Sequence, residues 1–487
     1  MMQSSFVAQR SPVFSVLSQD QVYEIHRASL EVLEKVGYRV LCEEAVTLLK
    51  DGGAWVDGER VKIPEHVVEA CLRRAPKGFV LYDRDGNRCL EVEGRKSYFG
   101  TSTASPNTRD ALTGEVHPTR LEDMARGALI ADALPNIDWV MPMGSSQDTP
   151  SWAAELYEFE AVVTHTRKPI VFIAYSPGGH RMVYEMAACV AGGMDRLRER
   201  PFIAAYPEPI TPLIYPKEVA EKLLFTAELG MPVIAAPAGQ AGATNPVTLA
   251  GTLALMNAET LMGLVLSQLK RPGTPFVLGG VPTVMDMATG GLSVGAPELS
   301  LMTTAYGDIA RFYGFPCWGT AGCSDAKTLD PEAGIESAFS CLAQALGGVN
   351  LIHDVGYLDL GMICSAEMLV MGDEVIGMVR RFIQGIEINS DTLARELIEK
   401  VGPGGNFLQE EHTCQHFRKE HWIPTLMARQ AYDAWEREGR KTMGDRVKEK
   451  IRHILETHTV PPLSDSVLAG LAHLKKEGER QLTRDTA

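Results

Sequence analysis

Apolar residues along the chain recur with two different periods, and the point where one gives way to the other divides it. Near the start, Val22, Ile25, Ser29, Val32, Leu33 and Val36 follow at helical spacing, Ser18 and Gln21 have the form of a capping box, and Gly37 ends the run. A helix over 19–36 is predicted. The pattern then predicts a helix near 43–50, a hairpin over 55–61 and a helix opened by Pro64. A second hairpin follows, in which 79–82 turns at Asp85-Gly86-Asn87 into 89–92. Residues 1–95 thus read as a small α+β cap or oligomerisation region.

From residue 96 short β-rich runs alternate with helical windows. The runs are 96–101, 138–143, 169–175, 201–206, 232–237, 275–281, 315–321 and 348–353, and their starts lie 31 to 43 residues apart. Pro169, Pro201, Pro232 and Pro275 each open a run, where a first strand residue tolerates proline. Eight strand-plus-helix units of this length predict an α/β fold, a (β/α)8 or TIM barrel over 96–385, with its site at the C-terminal ends of the strands. A doubly wound sheet is the rival, and the chain lacks the G-x-G-x-x-G turn that marks one. Beyond 385, helices are predicted over 392–400, 411–419, 424–438, 446–457 and 464–477. This helical extension, 386–487, is expected to pack on the barrel or on a neighbouring subunit of a homo-oligomer.

Composition narrows the partners. With 45% hydrophobic and 22% charged residues, general disorder is excluded, and a net charge of −15 spread along 487 residues argues against nucleic acid or an anionic membrane as partner. Nine cysteines without a C-x-x-C pair read as reduced thiols. The N-terminus lacks the basic and apolar regions of a secretory signal. The most apolar run, 253–269, is interrupted by Asn257, Glu259, Thr260 and Gln268 and reads as a packed barrel helix. A cytoplasmic location is expected.

On the predicted barrel, the residues that follow the strands include Arg109, Ser145, Tyr175, Tyr206, Glu208, Gln240, Met285, Trp318, Asp325, Lys327, His353, Asp354 and Tyr357. They hold no cluster of carboxylates and histidines at metal-ligand spacing, so a metal hydrolase is not expected. Substrate contacts are expected from His353, Trp318, Tyr206, Glu208, Tyr357, Tyr175, Asp325, Lys327 and Arg109. Singly, Tyr175, Tyr206, Trp318 and Tyr357 read as packing; together on one rim they would cage a methylammonium, each ring contributing ~0.5–2 kcal/mol. Lys327 reads as a surface cation or, if desolvated, as a Schiff-base lysine. His412 and His416, at i and i+4 on one helix face, have a zinc-compatible spacing. They lack the glutamate of H-E-x-x-H and lie outside the barrel, so a packing or capping role is expected and no metal.

Several segments carry a resemblance. Residues 30–40, 56–64, 131–138, Ser324-Asp325-Ala326-Lys327 with 330–334, and 356–361 resemble, in order, the trimethylamine methyltransferase superfamily. So do 404–408 with His412-Thr413 and His416-Phe417-Arg418, and the likeness covers nearly the whole chain. It implies a (β/α)8 barrel that holds a methylated amine while a separate corrinoid (cobalamin) protein presents cobalt(I) at the mouth, with no cofactor tightly bound by the chain itself. Archaeal trimethylamine enzymes of the family carry pyrrolysine in the later barrel strands. This chain contains only the twenty standard residues, 317–327 included, and so resembles a non-pyrrolysine branch.

That departure has a chemical reading. A tertiary amine is a poor methyl donor unless it is activated, because its leaving group would be an amide anion; a quaternary ammonium leaves as a neutral amine. The expectation is therefore methyl transfer from a quaternary amine, glycine betaine first, to the cobalt(I) of a cognate corrinoid protein, releasing dimethylglycine. Proline betaine, carnitine and other methylamines stand as alternatives, and His353, Arg109 or Lys327 would be available for a carboxylate. Cobalt(I) is itself the nucleophile, so no catalytic residue is assigned and the protein's work is orientation and exclusion of water. Two other classes stay open: a Schiff-base lyase using Lys327, and a non-catalytic docking partner for a corrinoid protein.

Overall fold

Seven short parallel strands organise the chain, whose computed structural model describes residues 13–485. They are β1 (Tyr98–Thr101), β2 (Ile170–Phe172), β3 (Ile203–Ala205), β4 (Val233–Ile234), β5 (Phe276–Gly279), β6 (Cys317–Thr320) and β7 (Leu351–Val355). Their spatial order is β1-β7-β6-β5-β4-β3-β2, and every neighbouring pair is parallel. Helices follow in turn: Leu121–Ala133, Ala154–His165, Pro177–Ala191, Lys217–Leu229, Leu249–Lys270, Pro297–Tyr313, Pro331–Gly347 and Ala366–Ile383. The fold is mixed α/β around a curled parallel sheet.

The run expected over 138–143 forms no ladder strand. It is present as two isolated parallel bridges, Trp139 to Gly100 of β1 and Val140 to Ile170 of β2, so both sheet edges reach the same two residues. Side chains occupy the backbone groups a longer ladder would use. Thr101 Oγ1 accepts from Met141 N at 2.8 Å and donates to Met141 O at 2.9 Å, while Asp138 Oδ2 accepts from Phe99 N at 2.8 Å. Arg380 clamps the same Asp138 carboxylate at 2.5 Å. β1 and this segment touch closely: a Cβ on Gly100 would lie 2.4 Å from the Trp139 ring. Gly100→Ala should therefore cost about 1–3 kcal/mol by overpacking, read as a lower urea midpoint. Gly334→Ala, in a helix with nothing within 4 Å of the new methyl, should be neutral to stabilising.

The N-terminal region folds as its pattern predicts. Ser18 and Gln21 close a capping box on the Gln19–Glu31 helix, which continues through one π turn, Val32–Val36, to Gly37 at φ 76°. The hairpin Phe79–Tyr82 with Arg88–Val92 sends Leu81, Cys89, Leu90 and Val92 against Tyr98, Trp139, Val171, Ala204, Ile234, Val277 and Leu351 on the concave side of the sheet. Tyr82 N donates to Pro201 O at 2.8 Å and Arg84 N to Arg167 O at 2.8 Å, at the chain segments that enter β3 and β2. The hairpin thus covers the N-terminal end of the strands and leaves the C-terminal end for a site.

Leu249–Lys270 is long and apolar enough to cross a membrane by composition alone, yet 72% of its apolar window is buried within the protein. Its Asn257 donates to Ser29 at 2.9 Å and Tyr313 at 3.0 Å, tying it to the neighbouring helices. In the extension, Met443–Thr457 packs on Ala366–Ile383 and Leu121–Ala133, and Asp465–Asp485 packs on Pro177–Ala191. The helix expected over 424–438 is reduced to Tyr432–Arg437. The backbone N–H groups of Thr425, Leu426 and Met427 instead converge on the buried Glu374 carboxylate at 2.9, 2.8 and 3.0 Å, a tertiary contact that outcompetes the helix.

Candidate functional site

Inside the curl of the sheet, Trp318, the second residue of β6, lies between three other rings. Its ring centroid is 4.5 Å from His353 of β7, 5.2 Å from Tyr206 after β3 and 5.3 Å from Trp139. Tyr206 and Trp318 are stacked at 29°, and Tyr206 meets His353 edge-on at 6.1 Å. Alternation along the strands points these residues inward, and the rings fill one another's faces. They form a floor, with Trp318 fully covered and only 3–4% of His353 and Tyr206 exposed. The rings leave no room for a methylammonium between them.

His353 is held by two contacts. Its Nδ1 lies 2.8 Å from Gly319 O, and since a carbonyl only accepts, Nδ1 carries the proton. Burial, partly offset by that bond, pushes the imidazole down to about 4, so Nε2 is bare at neutral pH. Nε2 faces Asp354 Oδ2 at 3.2 Å. Burial holds the Asp354 carboxyl well above the usual carboxylate range, outweighing a bond from Thr320, and the Glu208 charge pushes the same way. A protonated Asp354 donating to Nε2 makes this a neutral pair. The backbone arranges it: the register slips between Ile352 and Val355, and Asp354 adopts φ 79°, a left-handed conformation that aspartate tolerates better than most residues.

Glu208 supplies the charge. Solvent reaches its side chain, yet the surrounding protein withdraws enough water to push its carboxyl up to about 7, with Lys222 pulling it down. Its charge acts on both Tyr206 and Asp354. Lys222 is buried mid-helix, donates to Ala174 O at 2.7 Å, and was not among the residues the sequence pattern singled out. An amphipathic helix offers no sign that one of its lysines points inward. Tyr357 stands beside this group: Asp354 and Tyr206 both act on its hydroxyl, which accepts from Thr103 N at 3.1 Å.

The other expected contacts have partners elsewhere. Tyr175, 42% exposed, bonds Ser145 at 3.0 Å and the buried Glu158 at 3.1 Å. Asp325 accepts from Ser293 and, at 2.8 Å, from Val294 N. Arg109 is paired with Glu367 at 3.0 Å and donates to Gly114 O at 2.6 Å. Lys327 is 65% exposed, 3.2 Å from Asp359, and donates to Asp325 O at 2.6 Å. The structure therefore brings together His353, Trp318, Tyr206, Glu208 and Tyr357, and engages Tyr175, Asp325, Arg109 and Lys327 in other contacts.

Chemically, this group offers a neutral aromatic floor, one carboxylate that ionises near neutrality, and no activated nucleophile among the described residues. Burial pushes the thiols of Cys317 and Cys364 up to about 12 and about 11, and that of Cys323 well above its ordinary value, so none is a thiolate at pH 7.

A likeness to known proteins gives this class a name. The profile of the family described as Trimethylamine methyltransferase (MTTB) matches residues 1–479, and the chain belongs to that family. It is 34% identical over 469 residues to a glycine betaine methyltransferase of Desulfitobacterium hafniense (strain Y51), covering 96% of this chain and 97% of that protein. It is also 34% identical to the trimethylamine methyltransferase MttB of D. hafniense (strain DSM 10664 / DCB-2), over 95% of this chain and 93% of that one. With the MttB of Methanosarcina thermophila identity is 33%, over 96% and 98%. The crystal structure of the Methanosarcina barkeri monomethylamine methyltransferase shares the fold at TM-score 0.52 and 11% identity, covering 98% of this chain and 90% of that one. This chain is a methyltransferase that takes its methyl group from a methylated amine.

Proposed function

We propose that the protein transfers a methyl group from a quaternary ammonium compound to the cobalt(I) of a corrinoid carried by a separate protein. The carrying observation is the cluster of Tyr206, Trp318 and His353 with the Glu208 charge acting on Tyr206 and Asp354 beside it, and no activated nucleophile among these residues. In the transfer the C–N bond breaks with its electron pair staying on nitrogen, which leaves as a neutral tertiary amine. The acceptor supplies the pair for the new C–Co bond and passes formally from cobalt(I) to cobalt(III). No proton moves, which agrees with His353 and Asp354 forming a neutral, mutually bonded pair. The protein's part is to hold the cation and keep water from the reacting carbon. On this reading the bridging segment at Trp139–Val140 is the eighth stave of a (β/α)8 barrel over 96–385, between a cap at 1–95 and an extension at 386–487. The exposed Ile386, Ile388 and Leu408 of that extension support association between copies, and nine unpaired cysteines support a reducing cytoplasm.

Glycine betaine is the first substrate to test, because a relative at 34% identity bears that name. A second reading has its own support. Arg109 and Lys327 are each ion-paired, His353 is neutral, and the Glu208 charge is negative, so a cation without a carboxylate, such as choline, suits this cluster as well. The test mixes the protein with a cobalt(I) corrinoid and a panel of glycine betaine, choline, tetramethylammonium and trimethylamine, and reads methylcobalt(III) absorbance and the demethylated amine. Turnover with a quaternary member is expected. Turnover with trimethylamine alone, or with none, overturns the proposal, while betaine against choline decides between the two readings.

A further inference from the structure

The His412 and His416 pair acquires in the fold a third donor that lies 21 residues before it in sequence. Both histidines stand on the Glu411–Glu420 helix one turn apart, and their rings overlie each other at 4.2 Å between centroids and 31° between planes. Opposite them is Asp391. His416 Nε2 lies 3.3 Å from Asp391 Oδ2, and His412 Nε2 lies 3.3 Å from the Asp391 carbonyl oxygen. One ligand atom from each of the three side chains falls within 4.8 Å of the others. Asp391 is held in place by its own turn: Asn389 Oδ1 accepts the N–H groups of Asp391 and Thr392, both at 2.9 Å, and Thr392 Oγ1 donates to Glu387 O at 2.8 Å.

We propose that Asp391, His412 and His416 form a binding site for a divalent transition-metal ion of the zinc class. Two imidazole nitrogens and one carboxylate oxygen are the donors that zinc, cobalt(II), nickel or copper(II) prefer, whereas calcium and magnesium ask for oxygen alone. Bonds of about 2.0–2.2 Å in a tetrahedral site place ligand atoms roughly 3.3–3.6 Å apart, a little closer than the 4.8 Å within which these atoms already lie. The Asp391 carbonyl or a water takes the fourth position. Cys414, two residues from each histidine, falls on another face of the helix and is no ligand.

The ion would tie the segment that leaves the Ala366–Ile383 helix to the Glu411–Glu420 helix, beside the ion pair of Glu387 with Lys419 at 2.6 Å. It would set the shape of an outer face on which Ile386, Ile388 and Leu408 are 77%, 75% and 81% exposed. The inference does not depend on the substrate.

The experiment uses the full-length, tag-free protein, stripped with chelator and titrated with zinc against a chromophoric competitor, with cobalt(II) absorption as a second readout. One ion per chain and the visible bands of tetrahedral cobalt(II) are expected. His412→Ala, His416→Ala and Asp391→Asn should each weaken binding by at least about 10–100-fold, the loss that even an outer-sphere partner gives. His453→Ala, an exposed histidine on another helix, should leave binding unchanged. Binding no tighter than in the three variants, or absent from the wild type, overturns the site. Circular dichroism of the variants separates lost ligation from lost folding.

Discussion

Glu208→Gln is expected to raise the KM for a quaternary ammonium substrate about 10-fold near pH 8, with kcat changed by no more than about twofold. Two opposite unit charges about 5 Å apart interact by about 3 kcal/mol at an effective dielectric of 20, and water reaching the side chain reduces this to about 1–2 kcal/mol, roughly one decade. The pH dependence carries the sharper test. Loss of water around its carboxyl pushes Glu208 up to about 7 although its side chain stays exposed, so the ionised fraction rises between pH 6 and pH 8. Ionisation creates the charge that attracts a cation, so the wild-type KM should fall as pH rises through about 7 and then level. A bound cation favours the ionised form, which moves that transition to lower pH in the complex. Glutamine cannot ionise, and the variant's KM should stay flat. The effect should be larger for choline than for glycine betaine, whose own carboxylate is repelled by Glu208. An unchanged pH profile in the variant would remove Glu208 from the binding site.

Trp318→Leu should lower kcat/KM by about 100-fold or more and cost about 2–4 kcal/mol of stability. The ring is fully buried, and replacing it with a smaller side chain leaves a cavity between β6 and its neighbours. More consequential is what leans on it. Tyr206 stacks on one side and His353 lies 4.5 Å away on another, so both rings lose the surface that orients them. A shift of about 1 Å in a positioned substrate is enough to cost two decades. Trp318→Phe keeps a ring in place and should lose far less of both quantities. Urea denaturation beside steady-state kinetics reads the two effects separately. A destabilised Leu variant with wild-type kcat/KM would make the aromatic floor a packing device only.

The two readings of Lys327 bear on the rival enzyme class. Nothing buries its amine: it is 65% exposed and paired with Asp359, so it lacks the desolvation that makes a lysine nucleophilic at neutral pH. Its neighbour Asp325 works inward, holding Ser293 and Val294. Sequence proximity made these two residues look like one motif after β6, whereas the turn between them sends one to the surface and the other into the loop packing. Tyr175 shows the same limit. It follows its strand as Tyr206 follows β3, but Glu158, from the preceding helix, claims its hydroxyl.

Much of the architecture was legible because it is decided by near neighbours. The capping box at Ser18 and Gln21, the stop at Gly37, the two hairpins, and the alternation of strands with helices such as Lys217–Leu229 all follow from side chains a few residues apart. What the sequence by itself determined is this order of elements and the family segments spread along it; Tyr206 and Glu208 follow β3 as expected, while Trp318 and His353, expected after their strands, lie within β6 and β7. The tertiary structure alone decided the rest. It reduced 138–143 to two bridges by inserting Asp138 and Thr101 into the ladder, and dissolved most of the 424–438 helix on the Glu374 carboxylate. It stacked Tyr206 on Trp318 beside His353, turned Tyr175 to Ser145 and Glu158, and set Asp391 against His412 and His416. In each case the deciding partner lies from about twenty to more than a hundred residues away, and local patterning carries no record of contacts made only when distant segments pack.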